Sequence, residues 1–294
     1  MSSIKYILSI SLIALTNWAF SQNNATVFLK WKLKAGETIT YKTIMQEVDT
    51  ANRKDFNMNG MAKLMGDSVN ADMQKVFKQL SEQAQNMSHF ITYLKEQRKN
   101  IVEIEIHDNN NLKASGTDTG NMAEVMKSLK DMMSKASGGV TLRGAVYEDG
   151  SLESFYTKND QKNLLATLFE LPGRPVKVGD TWSPDVHFLS MDQSFIPDSS
   201  FKKNVVTVTN ISNAGDEHIV TMNYDIEEYV SGNFMSPFEQ TQAPVKMTMK
   251  MTHKAVANFS IEKGRWINYE GIMSLSSTGL MGTQTTKKIS LVLQ

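Results

Sequence analysis

"VKMTMKMTHKAVANF", residues 245–259, sets Val245, Met247, Met249, Met251, His253, Ala255, Ala257 and Phe259 at alternate positions, with Lys246, Thr248, Lys250, Thr252 and Lys254 among the residues between them. Successive side chains of a β-strand leave opposite faces, so this segment reads as one strand with a greasy side and a wet side. At about 3.3 Å per residue such a strand is ~50 Å long, well beyond an ordinary strand, and strands of that length belong to strongly curved sheets. "EKGR" (262–265) then turns the chain into "WINYEGIMSLSSTGL", and "KKISLVL" closes it, so the last third reads as an antiparallel meander.

The same alternation recurs upstream. "NIVEIEIH" places Val102, Ile104 and Ile106 against Glu103 and Glu105, and "EHIVTMNYDIEEY" places Val220, Met222, Tyr224 and Ile226 against Thr221, Asn223, Asp225 and Glu227. "ATVFLKWKL" puts Val27, Leu29, Trp31 and Leu33 on one face. "YEDGS" (147–151) reads as a hairpin turn, with Asp-Gly suited to type I′. Three stretches follow a helical period instead: 67–85, 119–136 and 158–171. The first carries Val69, Met73, Val76, Phe77 and Leu80 as a stripe, the second Met122, Met126, Leu129 and Met133. The third has Asn159 or Asp160 as N-cap and must stop before Pro172. The expected fold is therefore α+β: a long, curved, half-barrel-like antiparallel sheet packed by two or three amphipathic helices.

"MSSIKYILSISLIALTNWAFSQ" opens the chain with one lysine, a short apolar run and small residues at Ala19 and Ser21. This is the pattern of a secretory signal peptide cleaved after Ser21, the apolar run being too short to span a bilayer. The expected product, 22–294, is exported to the periplasm or beyond, soluble, and either one α+β domain or two similar halves at 22–170 and 171–294. Loss of residues 1–21 removes one lysine, leaving 30 basic and 31 acidic groups. A chain so nearly neutral carries no electrostatic footprint for nucleic acid, and no later segment is apolar enough to cross a membrane. The absence of cysteine excludes disulfides, thiolate metal sites and a lipid-bearing thiol.

"LPGRPVKVGDTW" (171–182) tests whether a ligand-cradling loop is present. One glycine near the turn, no Lys-Ser/Thr pair and no helix following it rule out a phosphate loop and leave a turn between extended runs. "KAGET" (34–38) matches "KVGDT" (177–181), so each half opens with a similar strand–turn–strand. With "LKAGETITYKT" and "AVYEDGSLESF", the segment from Pro172 to Trp182 resembles a family of uncharacterised exported bacterial proteins marked by Pro-x-x-Pro-Val-x-x-Gly-Asp-x-Trp. More distantly, the layout is similar to the periplasmic lipoprotein carriers of the LolA/LolB type, a resemblance that implies a greasy groove holding an acyl chain or lipoprotein without catalysis.

Methionine is the compositional oddity, 19 in the chain, grouped at Met58/Met61/Met65, Met122/Met126/Met132/Met133 and Met247/Met249/Met251. Flexible thioethers fill irregular cores and also line adaptable apolar sites. The expected function is non-catalytic binding of a hydrophobic ligand, a lipid, acyl chain or lipoprotein, lined by Met222, Tyr224, Met247, Met249 and Met251, with no metal and no cofactor. Two alternatives stand beside it: a structural or interaction protein of the cell envelope, and periplasmic Cu(I) binding through Met247, Met249, Met251 and His253, since thioethers prefer soft ions. An enzyme is not expected. The five histidines are scattered, no Gly-x-Ser-x-Gly elbow occurs, and Asp216/Glu217 and Glu227/Glu228 are neighbours on strands that cannot converge as acid–base pairs.

Overall fold

The alternating segment forms a single strand, β9 (Val245–Ser260), whose inner positions from His253 to Phe259 are buried while Lys246, Lys250 and Lys254 are exposed. In the computed structural model the described residues are 26–48, 89–98, 100–108, 140–155, 159–189, 195–235, 244–279 and 282–294. They contain five further strands before the helix: β1 (Thr38–Glu47), β2 (His89–Arg98), β3 (Ile101–Asp108), β4 (Val140–Tyr147) and the short β5 (Leu152–Phe155). Helix α1 (Asn159–Phe169) follows, then β6 (Thr181–Trp182), β7 (Phe195–Ala214) and β8 (Glu217–Phe234), with β10 (Arg265–Thr278) and β11 (Thr283–Leu293) after β9. All eleven strands belong to one antiparallel sheet in the order β5-β4-β3-β2-β1-β11-β10-β9-β8-β7-β6.

This corrects the α+β expectation. Among the described residues the fold is a single large antiparallel sheet with one short helix on its inner face, and strand so dominates that the molecule belongs with the all-β folds. The other two helical readings, 67–85 and 119–136, lie outside the described residues, as does the expected leader at 1–21. The helical period was a correct guide for α1, which starts at Asn159 and ends before Pro172. One sheet runs through both halves, joined where β1 pairs β11 from Tyr41↔Leu293 to Glu47↔Lys287.

The sheet curls because one extended segment ties distant strands together. Trp31 N–H donates to the Glu148 carbonyl in the β4–β5 turn (2.7 Å), and the next residue, Lys32, donates to the Gly264 carbonyl in the β9–β10 turn (3.0 Å). On a flat sheet β4 and β10 stand five strand spacings apart, ~24 Å. Two adjacent amides can reach both turns only if this end of the sheet is drawn nearly shut. Val27 also exchanges both backbone hydrogen bonds with Val176 (2.8 Å each), which ties the β6 side of the molecule to the same segment. Residues 26–33 thus show the expected burial alternation, but as a strap across the closed end and not as a sheet strand.

Helix α1 lies within the curl. Leu165, Ala166, Leu168 and Phe169 are buried, and Leu165 packs on Gly144 of β4, where an added Cβ would come within 2.7 Å of its Cδ2. The last carbonyls of a helix have no partner within it. Here the Leu168 carbonyl accepts from Trp266 Nε1 (2.7 Å) and the Phe169 carbonyl from Trp31 Nε1 (3.1 Å). Both indoles pack edge-on against Phe259, at 5.1 Å and 5.4 Å between ring centres, so the core of the closed end is an aromatic cluster that also holds the helix.

The two matching pentapeptides fold alike. Glu37 N–H closes on the Lys34 carbonyl (2.8 Å) and Asp180 N–H on the Lys177 carbonyl (3.0 Å); Gly36 and Gly179 take positive φ (78° and 88°) at the third position, the pattern of a type II turn. In each, the acidic side chain accepts from the first residue's N–H. The Asp149-Gly150 turn departs from expectation. Only Gly150 is left-handed (φ 83°), Gly150 N–H bonds the Tyr147 carbonyl and Tyr147 N–H bonds the Ser151 carbonyl, which makes a type I turn with a glycine bulge and not a type I′ turn.

Candidate functional site

Burial along the inner face is complete at the closed end, partial on β9 and β10 beyond His253, and high again at Val230, Met247 and Ser277. The closed end is filled by Leu29, Trp31, Tyr41, Phe169, Phe259, Trp266 and Tyr269, all fully buried. At the far end, the inner positions Met249 and Met251 of β9 and Met273 and Leu275 of β10 are only half-buried. Cross-strand register sets Met251 opposite Glu228 and Leu275, Met249 opposite Val230 and Ser277, and Met273 opposite His253. The described parts of β1, β2, β3, β4, β8 and β9 stop at this same end; residues 49–88, 109–139 and 236–243, with the Met58/Met61/Met65 and Met122/Met126/Met132/Met133 groups, lie outside the described residues.

Between the two ends sits a buried polar cluster. His253 is fully buried and its Nε2 is hydrogen-bonded to the Tyr269 hydroxyl; the two rings are nearly parallel (9°). Gly271 and Ala255 form the shelf beneath the imidazole: a Cβ on Gly271 would lie 2.8 Å from His253 Cε1 and 2.7 Å from the Ala255 Cβ. Tyr224 packs edge-on against Tyr269 (5.3 Å) and its hydroxyl, like His253 Nδ1, has no hydrogen-bond partner among the described residues. Burial pushes the imidazole down to about 4 and the Tyr224 and Tyr269 hydroxyls up, so all three are uncharged at neutral pH.

The sequence-predicted residues therefore divide. Met222 is fully buried in the main core between Val208 and Ala257, and Tyr224 lies beside it within the polar cluster. Met247 is buried in a small separate cluster with Phe195 and Val230. Only Met249 and Met251 border space that their described neighbours do not close. Lys246, Lys250 and Lys254 point to the convex face, where they pair with Asp198, Glu227 and Asp225. That convex face is a lattice of ion pairs, with Lys288–Glu270 and Lys263–Glu217 extending it.

Sequence reasoning missed Glu228, set aside as a strand neighbour of Glu227 that cannot converge with it. It faces inward and is 5% exposed; its Oε2 accepts from Leu189 N–H (2.8 Å), and Lys202 Nζ stands 3.6 Å from Oε1. The strand's alternation carried this information, since Glu228 follows Tyr224 and Ile226 in phase. Met273 was missed for a different reason, the register slip of β10 between Trp266 and Asn268.

A second polar group lies on the convex face. Glu105 is hydrogen-bonded by Arg143, by Lys95 (3.2 Å) and by His107 (3.4 Å), beside a shallow hollow lined by Arg98, Glu103, Arg143 and Glu153. Burial alone would raise its pKa, but these donors outweigh it and hold the carboxyl at about 2 against the ordinary 4.5. A depressed carboxylate pKa stabilises the fold above its unfolded value and loses that contribution as pH falls through the folded value. Glu105 therefore contributes up to ~3 kcal/mol above pH ~4.5, lost by pH ~2. Urea unfolding across that range should show wild type converging on Glu105→Gln as pH drops; parallel profiles would remove the network as a source of acid sensitivity.

Among the described residues no cluster of three His, Asp or Glu side chains is placed to hold a metal, and no helix is long and apolar enough to cross a membrane. No protein-family model, curated protein or solved structure matches this chain.

Proposed function

We propose that this protein binds a hydrophobic ligand, a lipid, acyl chain or lipidated segment, in the cell envelope without chemical transformation. The observation that carries the reading is the contrast along one inner face: aromatic residues fill the closed end, while Met249, Met251, Met273 and Leu275 stand half-buried at the far end. Inward-facing thioethers on neighbouring strands adapt their shape at little cost, which suits a floppy apolar guest. Export rests on the leader-like residues 1–21. The convex face, laced with ion pairs, suits a water-facing exterior.

Met222, Tyr224 and Met247 support the floor of this site and do not touch the guest. Displacement of a fluorescent fatty acid, followed by native mass spectrometry of the purified chain, tests the reading. Micromolar displacement by wild type and at least a tenfold weaker response from Met249→Glu/Leu275→Glu is the expected result. No bound species and no displacement at micromolar protein would overturn it, and a stoichiometric protein partner recovered without lipid would favour an envelope scaffold.

A further inference from the structure

We infer that His253, Met251 and Met273 form a site for a soft monovalent metal ion, Cu(I) or its redox-inert counterpart Ag(I), on the side of the apolar lining nearest His253 and without Met249 or Leu275 as ligands. Met273 on β10 is the direct cross-strand partner of His253 on β9, and Met251 is the next inward residue along β9. Directly opposed Cβ atoms stand ~5 Å apart, and same-face neighbours along a strand ~7 Å, within reach of a thioether carried on three rotatable bonds. Two soft sulfurs and one imidazole thus converge on one patch of the inner face.

The second observation is the state of the imidazole. His253 is fully buried, its Nε2 is occupied by the Tyr269 hydroxyl, and its Nδ1 has no partner among the described residues. A buried polar atom left unpaired is costly, so an occupant for it is expected. Metal-binding histidines characteristically engage a fixed hydrogen-bond partner through the other ring nitrogen, the role Tyr269 fills here. The Gly271 and Ala255 shelf fixes the ring: any larger side chain at 271 would collide with it.

The donor chemistry selects the ion. Thioether and imidazole donors favour Cu(I), whereas hard divalent ions require carboxylate clusters, and none of these is present among the described residues. Charge is also compatible. The β9 lysines are turned to the convex face and paired there, the buried Glu228 carboxylate lies opposite Met251, and Lys287, across from Met273, faces Glu47 in register. Met247, in its separate cluster, takes no part.

The experiment is a titration of the full chain with Ag(I), and with Cu(I) kept reduced by ascorbate, against a competing chelator. One equivalent retained by wild type, at least tenfold weaker retention by Met251→Leu/Met273→Leu, and unchanged retention by Met247→Leu are expected, with X-ray absorption reporting sulfur and nitrogen neighbours. Leucine preserves volume and packing, and an unchanged unfolding midpoint confirms that the double variant is folded. Equal retention by wild type and the double variant, or none by wild type, overturns the site. Fatty-acid displacement by Met249→Glu/Leu275→Glu is read separately, so failure of the lipid reading and failure of the metal site are distinguishable.

Discussion

Trp266→Ala is expected to destabilise the protein by about 4 kcal/mol, the upper range for truncating a buried aromatic residue. At roughly 2–4 °C per kcal/mol for a chain of this size, the unfolding midpoint should fall by about 10 °C. Three losses combine. The indole is fully buried against Phe259 (5.1 Å), Trp31 (5.9 Å) and Tyr269 (6.3 Å), so its removal opens a cavity in the aromatic cluster. Its N–H is the partner of the Leu168 carbonyl, which becomes a buried orphan at the end of α1. The helix then loses one of its two ties to the sheet. Trp266→Phe separates these terms, since it keeps most of the ring and deletes only the donor, at an expected ~1–3 kcal/mol. Circular dichroism melts of both variants provide the check; equal small losses would mean that the helix end is held by something other than the indole.

Gly150→Ala is expected to cost about 2–4 kcal/mol, far more than Gly179→Ala at about 1 kcal/mol. Both glycines adopt left-handed φ, 83° and 88°, so the backbone penalty for an L-residue is the same. Their surroundings differ. Nothing lies within 4 Å of a Cβ on Gly179, whereas a Cβ on Gly150 would fall 2.7 Å from Leu171 Cγ and closer still to the Leu171 backbone. The β4–β5 turn and the start of the "LPGRP" segment are therefore in intimate contact, and this contact helps close the sheet. Gly150→Asn relieves the φ penalty and not the collision, so it should remain nearly as damaging as alanine. Urea midpoints that rank Gly150→Ala and Gly179→Ala equally would show that the close approach is unimportant.

The local periodicities were readable in the sequence; the pairings were not. β9 was legible from end to end because alternation is a property of neighbours in the chain, and α1 was legible from its cap and Pro172. The matching turns at 34–38 and 177–181 were legible from glycine and the acidic residue after it. What could not be read was parity after a bulge. β10 slips register between Trp266 and Asn268, leaving Ile267 exposed and bringing Trp266 and Tyr269 onto the same face. Only through that slip do Gly271, Met273 and Leu275 face inward together with Trp266, which is why the sequence offered no reason to join Met273 to the β9 methionines. The His253–Tyr269 contact depends on the same event. The α+β expectation failed for a related reason, since a helical period reports an amphipathic stripe and says nothing about how much of the core the sheet fills by itself.

The partnership of the first strand with the last has a consequence for how the molecule comes into being. Tyr41 meets Leu293 across some 250 residues, and neither β1 nor β10 has its second neighbour until β11 arrives. Contacts so remote along the chain are slow to form, since a long loop must close before they return any stability. During synthesis β1 and β10 wait on the eleven residues of β11, so the two parts of the sheet stay apart until these emerge. The fastener is made late, and the sheet zips shut only once it has emerged.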